Sequence, residues 1–271
     1  MRDDRIELCF DDSPLEADSV LRRHRIAAPD FGPIDVSEDV RRLACHAWED
    51  RLCAEYVGVM VARRFHGLLV DVNAPNDLQE LAVMMMSQEQ RHASLCLEAA
   101  RALGSSGNVA FDVSELQQAR TTNDVELELL RMICGTYAVG EVAALSLLKD
   151  TLRGLPRSGF RRVLESIARD EVLHARIGPL LIRELLRAPG LPWLGQIGRA
   201  QVIDLVEGQR VAMRRRDVVA ADEPSHATDP LRVEAARRLG LTPAAEFQAA
   251  YKRAVEVVVP RELLRVAGLS I

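Results

Sequence analysis

The 271-residue chain predicts an all-α fold, a four-helix bundle with additional C-terminal helices. Three observations lead there. Apolar residues make up 48 % of the chain with only 4 % aromatic, so Leu, Val, Ala and Ile carry the core, and they recur at helical spacing. Pro, Gly and Asn cluster between those segments, where helices must stop. The pattern Glu-x-x-His occurs on two of the segments, Glu89–His92 and Glu171–His174, and each follows a lone Glu, Glu55 or Glu141, on the helix before.

The elements follow in order. Residues 1–37 carry Pro14, Pro29 and Pro33 and read as an N-terminal arm. Ser37, followed by acidic Glu38 and Asp39, starts a first helix expected to reach Val70. The turn DVNAPND separates it from a second helix that runs from Asn76 to Leu103 and stops at Gly104. Residues 104–122 form a long connection. A third helix fits 123–153 and breaks at Gly154-Leu155-Pro156; a fourth covers 157–187, with Pro179 expected to kink it. Residues 188–271 follow as helices over 193–222, 231–239 and 243–257, the last ending before Pro260. They are expected to pack on the 38–187 bundle as one domain.

Composition excludes several classes. A net charge of −5 argues against a general binder of nucleic acid or anionic membrane. The run Arg214–Arg216 reads as a solvated helix face. Five scattered cysteines without a Cys-x-x-Cys pair give no zinc or rubredoxin-type site. The N-terminus is too polar for a signal peptide. No eighteen-residue apolar run is present, so no membrane span is expected, and a reducing cytoplasm is the expected location.

Spacing places the acids. The midpoint of Glu55 and Glu89 is residue 72; that of Glu141 and Glu171 is residue 156. Both fall in turns located independently from Pro, Gly and Asn, so in each antiparallel hairpin the lone Glu lies level with its Glu-x-x-His partner. Glu and His at i, i+3 share a helix face. Their neighbours are apolar: Leu52 and Val59; Met85, Met86 and Ala93; Ala138, Ala144 and Leu145; Ile167, Ala168 and Ala175. Four carboxylates in such a stripe repel one another and resist ionisation unless cations pair with them. Two divalent ions balance four negative charges.

One Glu-x-x-His alone is weak evidence, and Glu223–His226, in a Pro-containing loop without an apolar face, is a decoy. His24, His46 and His66 lack partners at ligand spacing. Asp170 is placed to accept the outer ring N–H of His92, and Gln88 that of His174. Tyr137, one turn before Glu141, is a core Tyr or a phenol facing the site. Gly58 opens space or eases packing, and Met84–Met86 fill the core.

At Glu55 in AEYVG, Glu89/His92 in QEQRH, Glu141 in VGEVA and Glu171/His174 in DEVLH, the chain resembles the ferritin-like di-iron carboxylate superfamily over about residues 38–187. That resemblance implies an up-down-down-up bundle whose long crossover, 104–122, joins parallel second and third helices. It implies a metal set of Glu55, Glu89, His92, Glu141, Glu171 and His174, with the four carboxylates at the catalytic centre. Two iron ions are the implied cofactor, with Mn/Fe as the other pairing, and O₂ is the co-substrate. Rubrerythrins carry a cysteine site that is missing here, and arylamine N-oxygenases use a further His where this chain has Ile167. The expectation is therefore an oxidase or oxygenase acting on a small organic substrate, with electrons from a reductase or ferredoxin and a homodimer as the compatible assembly. The alternatives are a ferroxidase or peroxidase, and a non-catalytic ferritin-like interaction protein.

Overall fold

Seven helices account for nearly all regular structure in the computed structural model, which describes residues 5–8, 27–112, 120–215 and 230–271. They are α1 (Glu38–Asp71), α2 (Asn76–Ala102), α3 (Val125–Gly154), α4 (Gly159–Leu186), α5 (Arg199–Arg215), α6 (Pro230–Arg238) and α7 (residues 244–267). The all-α expectation holds. The first four helices lie within two residues of their expected bounds because their signals are local. Asp124 caps α3 by accepting from Leu127 N–H at 3.0 Å, and Ser158 caps α4 by accepting from Arg161 N–H at 3.1 Å. Asn73, at φ 52°, ends the first turn in the left-handed region. α4 continues through Pro179 to Leu186.

Helix α1 packs along α2, and α3 along α4. The hairpins join through α2 against α4 and through α1 against the start of α3. The α2–α4 junction runs antiparallel. Gln88 meets His174 where His92 meets Asp170. Phe65 stacks on Tyr137 with ring centroids 4.5 Å apart, and Arg64 pairs with buried Glu128.

Three differences from the sequence reading have physical causes. First, α7 does not stop before Pro260. It widens into a π-helical turn over Ala254–Val258 and resumes as α-helix at Val259–Ala267. Pro260 then lies in the opening turn of that segment, where its missing N–H is not needed, and buried Arg210 donates to the Val255 carbonyl at 3.1 Å. Second, α5 begins at Arg199, after a 3₁₀ turn at Pro192–Leu194, because Pro192 and Gly195 punctuate the segment. Third, Arg5–Glu7 pairs antiparallel with Ala110–Asp112, a short ribbon joining the N-terminal segment to the stretch after α2. The stretch expected as the end of the fifth helix, residues 216–222, and the decoy Glu223–His226 lie outside the described residues, as do Cys9, His24 and Arg216. Met84 is exposed while Met85 is buried, since consecutive helical residues point about 100° apart.

The C-terminal helices pack against the first four. α5 lies over the middle of α3, α6 over α1, and α7 against α3 and α4. Helix α3 is long and apolar enough to cross a membrane by length and composition, and 56 % of that apolar window is buried inside the protein. The interior holds two apolar clusters. One contains Phe65, Met85, Tyr137 and Ile182; the other contains Trp48, Leu52, Phe160 and Ile167. The charged residues lie between them.

Candidate metal centre

The six ligand candidates, spread over four helices, converge at one level. α1 supplies Glu55, α2 Glu89 and His92, α3 Glu141, and α4 Glu171 and His174. Glu89, His92, Glu171 and His174 are buried, and Glu55 and Glu141 are partly so. His92 Nδ1 lies 3.2 Å from Glu55 Oε2, 3.4 Å from Glu171 Oε1 and 3.8 Å from Glu89 Oε2. His174 Nδ1 lies 3.0 Å from Glu89 Oε1 and 3.4 Å from Glu171 Oε2. Glu89 and Glu171 therefore each offer one oxygen to each histidine. Two groups result among the described residues: Glu55, Glu89, His92 and Glu171; and Glu141, Glu171 and His174, with donor atoms within 4.8 Å of one another in each group.

The outer nitrogens orient the rings. His92 Nε2 is 3.0 Å from Asp170 Oδ2, which also pairs with Arg91, and His174 Nε2 is 3.0 Å from Gln88 Oε1. Each Nε2–H donates outward, which leaves Nδ1 facing the carboxylates in both rings. Among the described residues, His174 Nδ1 has no hydrogen-bond partner despite the nearby oxygens, and Glu171 Oε2 likewise has none. Both orphaned atoms are buried in the same group. An unmet nitrogen and an unmet carboxylate oxygen side by side suit ligands converging on an ion.

Charge within the cluster follows from burial and proximity. Burial raises Glu55, with Glu89 and Glu171 adding repulsion and His92 pulling it down, to about 7. Burial, then repulsion from Glu171 and Glu89, pushes Glu141 well above the usual carboxylate range. Glu89 is also pushed up by burial, but the close approach of His174 and His92 prevails and holds it at about 2. Burial alone would discharge the imidazoles; Glu55 and Glu89 instead raise His92 to about 11, and Glu171 and Glu89 raise His174 to about 10. Without metal, protons on the two rings and on Glu141 neutralise the carboxylates. Divalent ions would take over that role.

Asp170 and Gln88 contact His92 and His174 respectively, the rings that spacing paired them with. Tyr137 is buried with its hydroxyl unpartnered, and burial with Glu141 and Glu89 nearby pushes its pKa up. His46 pairs with Glu49 on the surface, and His66 lies outside the site. Sequence reasoning missed what Gly58 does. A Cβ there would stand 2.6 Å from Glu89 Cδ, so the bare backbone of α1 makes room for that carboxylate. It also missed a nine-residue π-helical stretch, Met132–Gly140, which runs directly into Glu141; such stretches are frequent at functional sites. Its glycines, Gly135 and Gly140, were the available signal. Comparison with protein-family models, curated proteins and solved structures finds no match.

Proposed function

We propose that the chain is a ferritin-like four-helix di-iron protein, with α1–α4 as the bundle and residues 104–122 as the crossover. In this reading it is an O₂-dependent oxidase or oxygenase acting on a small organic substrate. The observation that carries the reading is the double contact of Glu89 and Glu171, each reaching both histidines, with His174 Nδ1 unmet beside them. A hard set of carboxylate and imidazole donors without thiolate suits iron or manganese. Glu55, Glu89, Glu171 and His92 would hold one ion, and Glu141, Glu171, Glu89 and His174 the other. Four protein ligands per ion leave positions open in a six-coordinate shell. Bound iron would supply the electrons for O₂ reduction, replenished by a reductase, a ferredoxin or the substrate.

The chain's own residues do the rest. Asp170 and Gln88 hold the imidazole tautomers. The apolar clusters on either side exclude water and favour a hydrocarbon substrate over a soluble ion. Glu141 and Glu55, held partly protonated, release protons as metal enters. The thiols of Cys45, Cys96 and Cys134 fit a reducing cytoplasm.

The test is anaerobic Fe(II) titration of the full chain with metal analysis, followed by O₂ uptake. The wild type should bind about two ions per chain. Glu141→Ala should bind about one and take up O₂ at least about tenfold more slowly. Full occupancy and uptake in that variant would remove Glu141 from the ligand set. No binding by the wild type would end the reading. O₂ uptake that oxidises only iron, whatever organic compound is added, would favour a ferroxidase.

A further inference from the structure

The centre is not equally closed on every side. Its buried members come from α2 and α4, while Glu55 on α1 and Glu141 on α3 keep part of their exposure. Access therefore lies along the α1–α3 side. One turn before Glu55, on the inward stripe Ala44, Trp48, Arg51, Glu55, Gly58, Ala62, Phe65, Leu69 of α1, stands an arginine.

Arg51 is poorly matched to its surroundings as they stand. Its guanidinium carbon lies over the Trp48 ring, 4.5 Å from the centroid. Nη2 reaches the Gly240 carbonyl only at 3.5 Å, the outer limit of a hydrogen bond. Nη1 is shut off from solvent and has no partner among the described residues. Glu55, one turn further along α1, is engaged with His92. Otherwise the cluster around Trp48 is apolar, with Leu52, Cys96, Leu148 and Ile167 among its members. Arg51 is half-buried, yet its Nη1 meets neither water nor a described acceptor; an enclosed, unfilled cationic donor destabilises a fold, so its retention beside the centre calls for a counter-ion from outside.

We propose that Arg51 anchors the carboxylate of an organic-acid substrate, which enters between α1 and α3 and lays its carbon chain along Leu52, Leu148 and Ile167 toward Glu55. This rests on the metal-centre reading above and adds a substrate class to it. A guanidinium fork suits a carboxylate. A single positive charge beside four carboxylates suits a monoanion better than a doubly charged phosphate. Arg51 and Glu55 stand one helical turn apart on the same stripe of α1, about 5.4 Å along the axis, so a chain held at Arg51 runs toward the centre.

The probes are hexanoate, octanoate and benzoate, each against its own primary amide, titrated calorimetrically into the full chain with its metal content measured in parallel. The wild type should bind at least one acid about tenfold or more tighter than its amide. Arg51→Met should lose that difference while keeping the metal content and an equal or higher melting temperature; Arg51→Lys, which keeps charge without the fork, should fall between. Acids bound no better than amides, no binding across the panel, or unchanged acid binding in Arg51→Met would each overturn the proposal. The wild-type comparison stands even if a variant fails to fold. Metal bound without acid preference defeats this inference alone; acid preference without metal defeats the di-iron reading alone.

Discussion

Gly58 is where a single missing atom decides the site. Its Cβ would collide with the Glu89 carboxylate, which serves both histidines. Gly58→Ala should therefore displace Glu89, weaken metal binding about tenfold or more and destabilise the protein by about 1–3 kcal/mol. Chemical denaturation and Fe(II) titration check both; an unchanged titration would show that Glu89 relaxes freely. The six ligand candidates were legible because helical period and turn position fix which face and which level a residue occupies. Asp170 and Gln88 were legible for the same reason, each lying one residue before a Glu of the motif. Gly58 was not, since its importance depends on a rotamer from another helix. Arg51 was hidden as well: in sequence it is one more charge in the helix AWEDRLCAEY, and only packing shows its Nη1 enclosed.

Helix α3 differs from α1, α2 and α4. Across Met132–Gly140 its turns widen, and α4 meets it there through Gly178, where any Cβ would strike the backbone of Tyr137 and Ala138. Gly178→Ala should force α4 away from α3 and cost about 2–3 kcal/mol, read as a fall in melting temperature with loss of His174-side metal binding before the His92 side. Equal stability would mean that the two helices are not locked at this crossing. Helix bounds were legible where caps and breakers act locally, as at Asp124, Ser158 and Asn73. Winding was not, because a π turn uses the same residues as an α turn and is selected by packing. Pro260 misled for a related reason: it forbids an interior helical position but not the first turn after a π turn. The Arg5–Glu7 ribbon joins segments about a hundred residues apart, and nothing local in either announces the other.

Across the molecule, a layer of charge separates two apolar clusters, and its protonation couples to stability. His92 and His174, raised from 6.5 to about 11 and about 10, contribute stability that is complete below pH 6.5 and is lost as pH rises through those values. Glu55, raised from 4.5 to about 7, has the same sign: its contribution is complete below 4.5 and gone above about 7. Glu89, depressed to about 2, acts oppositely, and its contribution fades as pH falls from 4.5. The metal-free chain should thus melt at progressively lower temperature from pH 6 to pH 9. Stabilisation by added divalent metal should grow over that range as protons cease to compete. Calorimetry with and without metal separates the two trends, and a metal-free melting temperature that climbs toward pH 9 would contradict the charge assignment.

The double reach of Glu89 and Glu171 has a consequence for how such a chain matures. Glu55, Glu89 and His92 emerge from the ribosome first, while Glu171 of the same group is still unmade. Neither hairpin alone carries a full ligand group, so on the proposed reading tight capture of the first ion would wait until the two halves have docked. Metal content would then report completed assembly.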